Sequence, residues 1–423
     1  MRYAFSHPSG VQRRAPAVGG PPRDGAPSGR GGSPGENGPS RDGEKGSPDG
    51  GGPPGEGKGA SPLPPGGSAH ASARPDEAPV DEASLGRDRA LRRRCAIATG
   101  VAGLAVLAGL AVVGIAIGAK PLTIGEVWSG LTATGRDRQE IPEAVIVWQT
   151  RMPRTALTVV VGASLALAGV AMQALTRNPL AEPGLLGVNS GAAFAVALAI
   201  SAFGATSVDD YVWFAFAGSA LAASFIYVVS ARRGRTSGDA HLVLVGAAVS
   251  AALGSCTGII TMFDKEAFDS YRFWVIGSLA DRGYGILAPL LPFFAAGCLL
   301  ALLAGPSLNA MMLGEEQAQA LGVRLGLVRA VVLLAVTLLC GAATAASGPI
   351  GFVGLAIPHI LRLLVGVDQR TILGLALIAG PCFMLAADVI GRVAVSGELE
   401  VGIVTAFLGA PVLIAILVRK AAT

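Results

Sequence analysis

The sequence predicts an all-α polytopic membrane protein, about ten transmembrane helices behind a disordered N-terminal tail. Three observations carry this. Of 423 residues, 51% are hydrophobic and 15% charged, where a soluble domain carries roughly 25% charged. The charge is uneven: residues 1–94 hold 25 of the 62 charged residues. The stretch from Cys95 onward is therefore only about 11% charged, too little to cover a soluble surface. Lastly, that stretch breaks into apolar runs long enough to cross about 30 Å of hydrocarbon.

The tail, residues 1–94, contains 15 of the 27 Pro and 20 of the 59 Gly. It lacks the apolar residues that would offset ordering entropy, so it is expected to be disordered. It also lacks the charged–apolar–small layout of a secretory signal. Arg87, Arg89, Arg92, Arg93 and Arg94 stand immediately before the first apolar run. Arginines at that place put the tail in the cytosol; the tail reads as a solvated linker of no specific function, with a contact to anionic lipid or to a partner as the alternative. The net charge of +4 is too small to point to a nucleic-acid partner.

The apolar part, 95–423, divides into ten candidate spans: 96–119, 155–175, 184–203, 211–231, 242–262, 284–304, 328–347, 349–365, 372–390 and 401–418. The pair within 328–365 splits at Ser347-Gly348-Pro349, where helix breakers stack; that break is a hinge or a corner near the outer surface. Ten spans put both termini on one side. Counted from Arg87 onward, this threading assigns fifteen Lys and Arg to the tail's side and nine to the other, which favours cytoplasmic termini in a cell membrane.

Span five carries Gly246, Ser250, Gly254 and Gly258 at four-residue spacing. Such a ridge serves close helix packing or a smooth wall along a translocation pathway. No Asp, Glu, Lys or Arg falls near the middle of any span. Ion-coupled carriers keep an ionisable group or an unwound ion site at mid-depth, so the energy for transport is expected from elsewhere. The chain has no G-x-x-x-x-G-K-[ST] phosphate loop. If ATP drives transport, another polypeptide binds it.

Three blocks hold the densest information. The first runs from Arg151-Met-Pro-Arg-Thr through Gly162, Gly169 and Gln173 to Arg177-Asn-Pro-Leu-Ala-Glu-Pro-Gly-Leu-Leu-Gly. The second is Leu313-Gly-Glu-Glu-Gln-Ala-Gln-Ala-Leu-Gly322. The third is Ser347-Gly-Pro-Ile-Gly-Phe-Val-Gly followed by Ile357-Pro-His-Ile-Leu-Arg362, then Asp368, Arg370, Asp388, Arg392, Glu398 and Gly409-Ala-Pro411. Together, over about 95–423, they resemble the FecCD-type permease subunits of type II ABC importers for iron–siderophore complexes, haem and vitamin B12. The tail lies outside the pattern.

The resemblance implies a dimer of permease subunits, a homodimer or a pair of related chains, around one central pathway. It implies two ABC ATPase subunits carrying ATP and Mg on the cytosolic side, and an extracytoplasmic substrate-binding protein. The chain itself is expected to be no enzyme and to hold no cofactor. Arg151, Arg154 and Arg392 fall on the outer side, against the positive-inside trend, and Arg151 and Arg154 share a helix face. An outward guanidinium presents a five-donor fork suited to carboxylates, and similar positions in the family receive acidic residues of the binding protein. The alternative is snorkelling, or a local pair such as Arg392 with Asp388.

Leu313, Gly314, Glu315, Ala318, Leu321 and Gly322 form a short helical stretch bracketed by glycines between spans six and seven. The resemblance makes it the coupling loop that fits a cleft on the ATPase; otherwise it is an ordinary connector. Asn178, Pro179, Leu180 and Ala181 read as a cytosolic turn in which Asn caps a backbone end. Tyr271–Trp274 looks like a short outer helix whose aromatics anchor it at the interface or touch the binding protein.

Five scattered cysteines form no CxxC or Cys/His cluster and read as small buried hydrophobes. His359 is the lone His inside a span and reads as a packing or cap-contact residue; His241, at the start of span five, has no partner pattern. No metal site is assigned. Arg272-Phe-Trp-Val-Ile-Gly-Ser-Leu279 resembles siderophore permeases more than the vitamin B12 one. The expected function is inward transport of an iron(III)–siderophore complex. Haem or cobalamin cargo is the near alternative and an ion-coupled secondary carrier the distant one.

Overall fold

The computed structural model describes residues 82–118, 120, 122–232, 239–395 and 397–421. Described residues are helical or irregular, with no strand among them. In chain order the helices are α1 (Glu82–Ala116), α2 (Ile124–Thr132), α3 (Asp137–Glu140), α4 (Pro142–Val145), α5 (Met152–Leu175), α6 (Val188–Phe203), α7 (Val208–Arg232) and α8 (Asp239–Phe263). They continue as α9 (Lys265–Ile276), α10 (Tyr284–Met312), α11 (Glu315–Ala320), α12 (Leu325–Ser347), α13 (Val353–Val365), α14 (Gln369–Ala394) and α15 (Val401–Ala421).

Seven helical segments are long and apolar enough to cross a membrane: Arg93–Ala116, Pro142–Leu175, Val208–Ser230, His241–Phe263, Tyr284–Met312, Leu325–Ser347 and Gln369–Ala394. Three shorter apolar helices, Val188–Phe203, Val353–Val365 and Val401–Ala415, fall where the remaining expected spans lie. Most of the expected tail lies outside the described residues. The helix that follows it starts at Glu82, ahead of the expected boundary at 94. Ala, Leu, Glu and Arg in 82–94 are good helix formers, so the first span extends backwards through its arginines. The second span also begins early, at Pro142, and includes a π-helical turn over Ile146–Arg151.

The bundle is organised around α5, whose residues from Thr155 to Leu175 are mostly buried. Lipid supplies no hydrophobic force between helices, so close backbone contact at small residues does the holding. Gly162 faces Gly380 of α14, Gly169 faces Gly354 of α13, and Gly191 of α6 faces Gly218 of α7. A Cβ on Gly169 would lie 2.0 Å from the Gly354 carbonyl oxygen, so nothing larger than glycine fits this crossing. By contrast α1 packs mainly on α14 and leaves Val101, Leu104 and Val112 exposed, as a lipid-facing helix does.

Two irregular segments dip into the bundle. One joins α5 to α6 through residues 176–187; the other joins α12 to α13 through residues 348–352. Gly354 packs against Leu165 and Gly169 of α5, about 15 and 9 Å from the end of that helix at 1.5 Å per residue. The break therefore runs from Ser347, whose carbonyl accepts from the Ser278 N–H just after α9 at 2.8 Å, inward to the Gly354 crossing, deeper than a corner at the outer surface alone. The reason is the shortness of α13, whose 13 residues span only about 20 Å.

Candidate functional site

At one end of the bundle, α11 stands between α10 and α12. Gly314 (φ +116°) opens it and Gly322 (φ +81°) closes it, both in backbone conformations that side chains disfavour. Ala318 is fully buried and fixes the helix to the bundle, while Leu313 and Leu321 are 64% and 65% exposed. Glu315 braces it: its Oε1 accepts from Arg177 Nη2 at 3.1 Å and from Arg329 Nη2 at 2.8 Å. The Glu315 side chain is about one-third exposed, so solvent screens these pairs and they orient more than they stabilise.

Arg177 brings in a second predicted element, 138 residues away. Directly after it, Asn178 Oδ1 accepts from the Leu180 N–H at 2.9 Å and the Asn178 carbonyl accepts from the Ala181 N–H at 3.1 Å. These bonds make the turn an Asx-type corner. Pro179 fills the corner, Leu180 is 43% exposed and Ala181 is buried. The 313–322 block and the Asn178–Ala181 turn thus lie side by side through the Arg177–Glu315 pair, with Leu180, Leu313 and Leu321 exposed.

Sequence reasoning missed the residue directly after the turn. Glu182 turns back into the bundle, where its Oε1 accepts from the Phe352 N–H at 3.2 Å. Phe352, at φ +68°, is the N-cap of α13. Beside them lies a cavity of about 10 Å³, lined by Leu165, Glu182, Asn189, Cys340 and Ile350 among others, about the room of one water molecule. The expectation of a middle empty of ionisable groups concerns the apolar spans alone; here an irregular segment carries a carboxylate in beside Leu165 of α5. A hydrophilic seam continues from it: Thr344 donates to Asn189 Oδ1 at 2.9 Å, Gln173 Nε2 to the Gly354 carbonyl at 3.1 Å, and Arg362 to Gln173 Oε1. His359 Nδ1 lies 3.2 Å from Arg362 Nη2, within the same group.

The opposite end holds Arg151, Arg154 and Arg392, the three arginines expected to meet the binding protein or to pair locally. All three are buried. Arg151 donates to the carbonyls of Ile115, Ala116 and Lys120 at 2.9, 2.6 and 2.5 Å. Arg154 donates to Asp388 at 2.8 and 3.0 Å and to Glu398 at 2.8 Å. Arg392 donates to Asp388 and to the carbonyls of Gly114 and Ile117. These guanidiniums tie the ends of α1, α5 and α14 together, as the local-pair alternative has it, while Arg392 Nε has no hydrogen-bond partner among the described residues. Their donors satisfy helix-end carbonyls that the membrane boundary would otherwise leave unpaired.

The small-residue ridge on α8 divides in two. Gly246 is buried and Ser250 lies beside Gly187; Gly254 and Gly258 are exposed, with open space where a side chain would stand. Close packing accounts for the first pair only. Next to α8, an apolar groove of about 520 Å³ runs between α6, α7 and α8, lined by Phe194, Leu198, Phe214, Leu221, Phe225 and Leu253 among others. The outer helix expected around 271–274 is α9, but Trp274 is buried at 2% exposure while Phe268 and Phe273 stand exposed. Among the described residues no three His, Cys, Asp or Glu side chains gather as a metal site.

A lipid-facing helical bundle with a short braced helix at one end and a bare small-residue ridge defines a multi-pass membrane permease. The chain belongs to the FecCD transport family, whose model matches residues 105–419. It is 43% identical over 305 residues to the ferric enterobactin transport system permease FepD of Escherichia coli, covering 72% of this chain and 90% of that one. It is 40% identical over 314 residues to the vitamin B12 permease BtuC of Yersinia enterocolitica (70% and 88% covered). Identity is 37% over 281 residues to the hemin permease HmuU of Yersinia pestis (65% and 84%). Among solved structures, it resembles a metal-chelate type ABC transporter in an inward-facing conformation. The TM-score is 0.65 at 29% identity, over 77% of this chain and 99% of that one. The chain is a permease of the ABC importer type that serves chelated iron, haem and vitamin B12.

Proposed function

We propose that this chain moves an iron(III)–siderophore complex inward, as one of two permease subunits around a shared pathway. The ATPase subunits, with their ATP and Mg, dock on the end that carries α11; an extracytoplasmic binding protein delivers cargo at the end that carries the Arg154–Asp388 clamp. Residues 95–423 form the permease domain, and residues 1–94 form a cytoplasmic tail on the same side as the C-terminus. The observation that carries the reading is α11 itself. Its exposed Leu313 and Leu321 stand on a helix fixed by Ala318 and braced by Glu315, a knob without a socket among the described residues.

The iron–siderophore cargo rests on the similarity to a ferric enterobactin permease, with haem and vitamin B12 as the alternatives that the other relatives bring. The passage needs no tight site: bare glycines and an apolar groove let a bulky chelate slide and leave.

Uptake of radio-iron on several siderophores, with labelled haem and vitamin B12 alongside, tests this in cells with and without the gene. Loss of ferric-siderophore uptake alone is the expected result. Loss of haem or vitamin B12 uptake instead replaces the cargo. Uptake that persists without an ATPase and collapses with an uncoupler replaces the ATP-driven machine by an ion-coupled carrier, for which Glu182 would be the obvious ionisable group.

A further inference from the structure

Residues 176–187 touch three parts of the bundle that otherwise meet only through long helices. At their outer end Arg177 holds Glu315 of α11. In their middle Glu182 accepts from Phe352 N–H, and Pro183 packs on the first turn of α13, where a Cβ on Gly354 would stand 3.2 Å from Pro183 Cδ. At their far end Gly187, at φ +69°, turns the chain into α6; a Cβ there would lie 2.6 Å from Ile226 of α7 and 3.7 Å from Ser250 of α8. The segment is stiff for its length: Pro179 and Pro183 fix φ, the Asx corner closes its start, and Pro183–Leu186 form a 3-10 turn.

Resting on the reading that α11 docks an ATPase, we propose that residues 176–187 are a strut that transmits displacement of α11 to the helix break before α13 and to the α8 ridge. Glu182 is the positioning residue at its inner contact. The argument is mechanical. A helix as short as α11 cannot reach the pathway itself. The strut can, because one end is tied to Glu315 and its middle is tied to the backbone of the break. Phe352 is held at positive φ at that junction, a conformation that costs energy and so persists only where neighbours enforce it. The Glu182 carboxylate is the side chain that grips it. Release of this grip lets the break relax; retention makes α13 follow the strut.

The test uses the whole permease with its partner ATPase in proteoliposomes, reading ATP hydrolysis and cargo uptake separately. Glu182→Ala is expected to lower uptake per ATP by about tenfold, the scale of coupling changes in packed networks, with hydrolysis and co-purification retained. Glu182→Gln restores the ratio, since its amide oxygen still accepts from Phe352 N–H. Arg177→Ala, at an exposed position where Glu315 keeps Arg329, lowers the same ratio and keeps the proposal testable if Glu182→Ala does not fold. Unchanged uptake per ATP in Arg177→Ala, or in a folded Glu182→Ala, overturns the strut. So does Glu182→Gln as defective as Glu182→Ala. A wild-type complex that hydrolyses ATP without moving any cargo overturns the importer reading instead.

Discussion

Arg154 on α5 and Asp388 on α14 meet twice through one carboxylate oxygen, Nε at 3.0 Å and Nη2 at 2.8 Å, with 234 residues of chain between them. The other oxygen of Asp388 takes Arg392. One fully buried carboxylate thus bridges two buried guanidiniums, and Glu398 supplies the second negative charge that balances them. Removing one partner from such a group leaves charge uncompensated in a poorly solvated place, at a cost of about 3–5 kcal/mol. Asp388→Asn should therefore lower the thermal unfolding midpoint of the purified permease and its yield from membranes. An unchanged midpoint would show that the network contributes nothing to stability, and would favour docking over clamping as the role of these arginines.

Leu313 and Leu321 flank α11 with nearly equal exposure, and neither packs on the bundle. If each buries its side chain in an ATPase cleft, each contributes about 1.5–3 kcal/mol to the contact. The double change Leu313→Ser with Leu321→Ser is expected to reduce ATPase co-purification severely while the thermal midpoint stays within error of wild type. Retained co-purification sinks the docking assignment. A fall in the midpoint would instead mean that the two leucines serve this chain's own packing.

The sequence shows its spans because a membrane demands long apolar runs, and all ten appear as apolar helices. What it does not show is depth. Asn178-Pro179-Leu180-Ala181 reads as a cytosolic turn, and nothing local says that the chain turns inward at Glu182, directly after it. The Arg side chains are hidden for a related reason. Arg151 and Arg154 sit at a helix start, where polarity suggests water, and their partners come from distant segments. Arg392 with Asp388 is the exception, since i,i+4 spacing puts the pair within reach. Block 313–322 is legible because its bracketing glycines and buried Ala318 are local features.

Asp368 caps α14, accepting from Thr371 N–H at 3.0 Å, Thr371 Oγ1 at 2.5 Å and Asn309 Nδ2 at 2.5 Å. Burial pushes its carboxyl up, but the hydrogen bonds from Thr371 and Asn309 outweigh that and hold it below its ordinary 3.8. A carboxylate lowered by folding contributes stability that is present above its unfolded value and lost as pH falls through the folded one. The thermal midpoint is expected to be insensitive to Asp368 titration at neutral pH and to drop below about pH 4. In Asp368→Asn the acid-dependent part of that drop should shrink. Identical pH profiles in both proteins would mean that the cap carries no linked proton.

Glycine pairs and bare glycines make opposite forecasts. Gly169 faces the Gly354 backbone, so Gly169→Ala must push two helices apart at a cost of about 1–3 kcal/mol. Gly254 and Gly258 face open space, so Gly254→Leu with Gly258→Leu should change the stability of the single chain by no more than about 0.5 kcal/mol. If that surface lines the passage, the same double change narrows it and slows uptake of a bulky chelate while ATP hydrolysis continues. If that surface packs against a second permease subunit, the double change lowers assembly of the pair, which size-exclusion chromatography reads directly. Uptake and assembly both at wild-type level would remove the bare half of the ridge from either role.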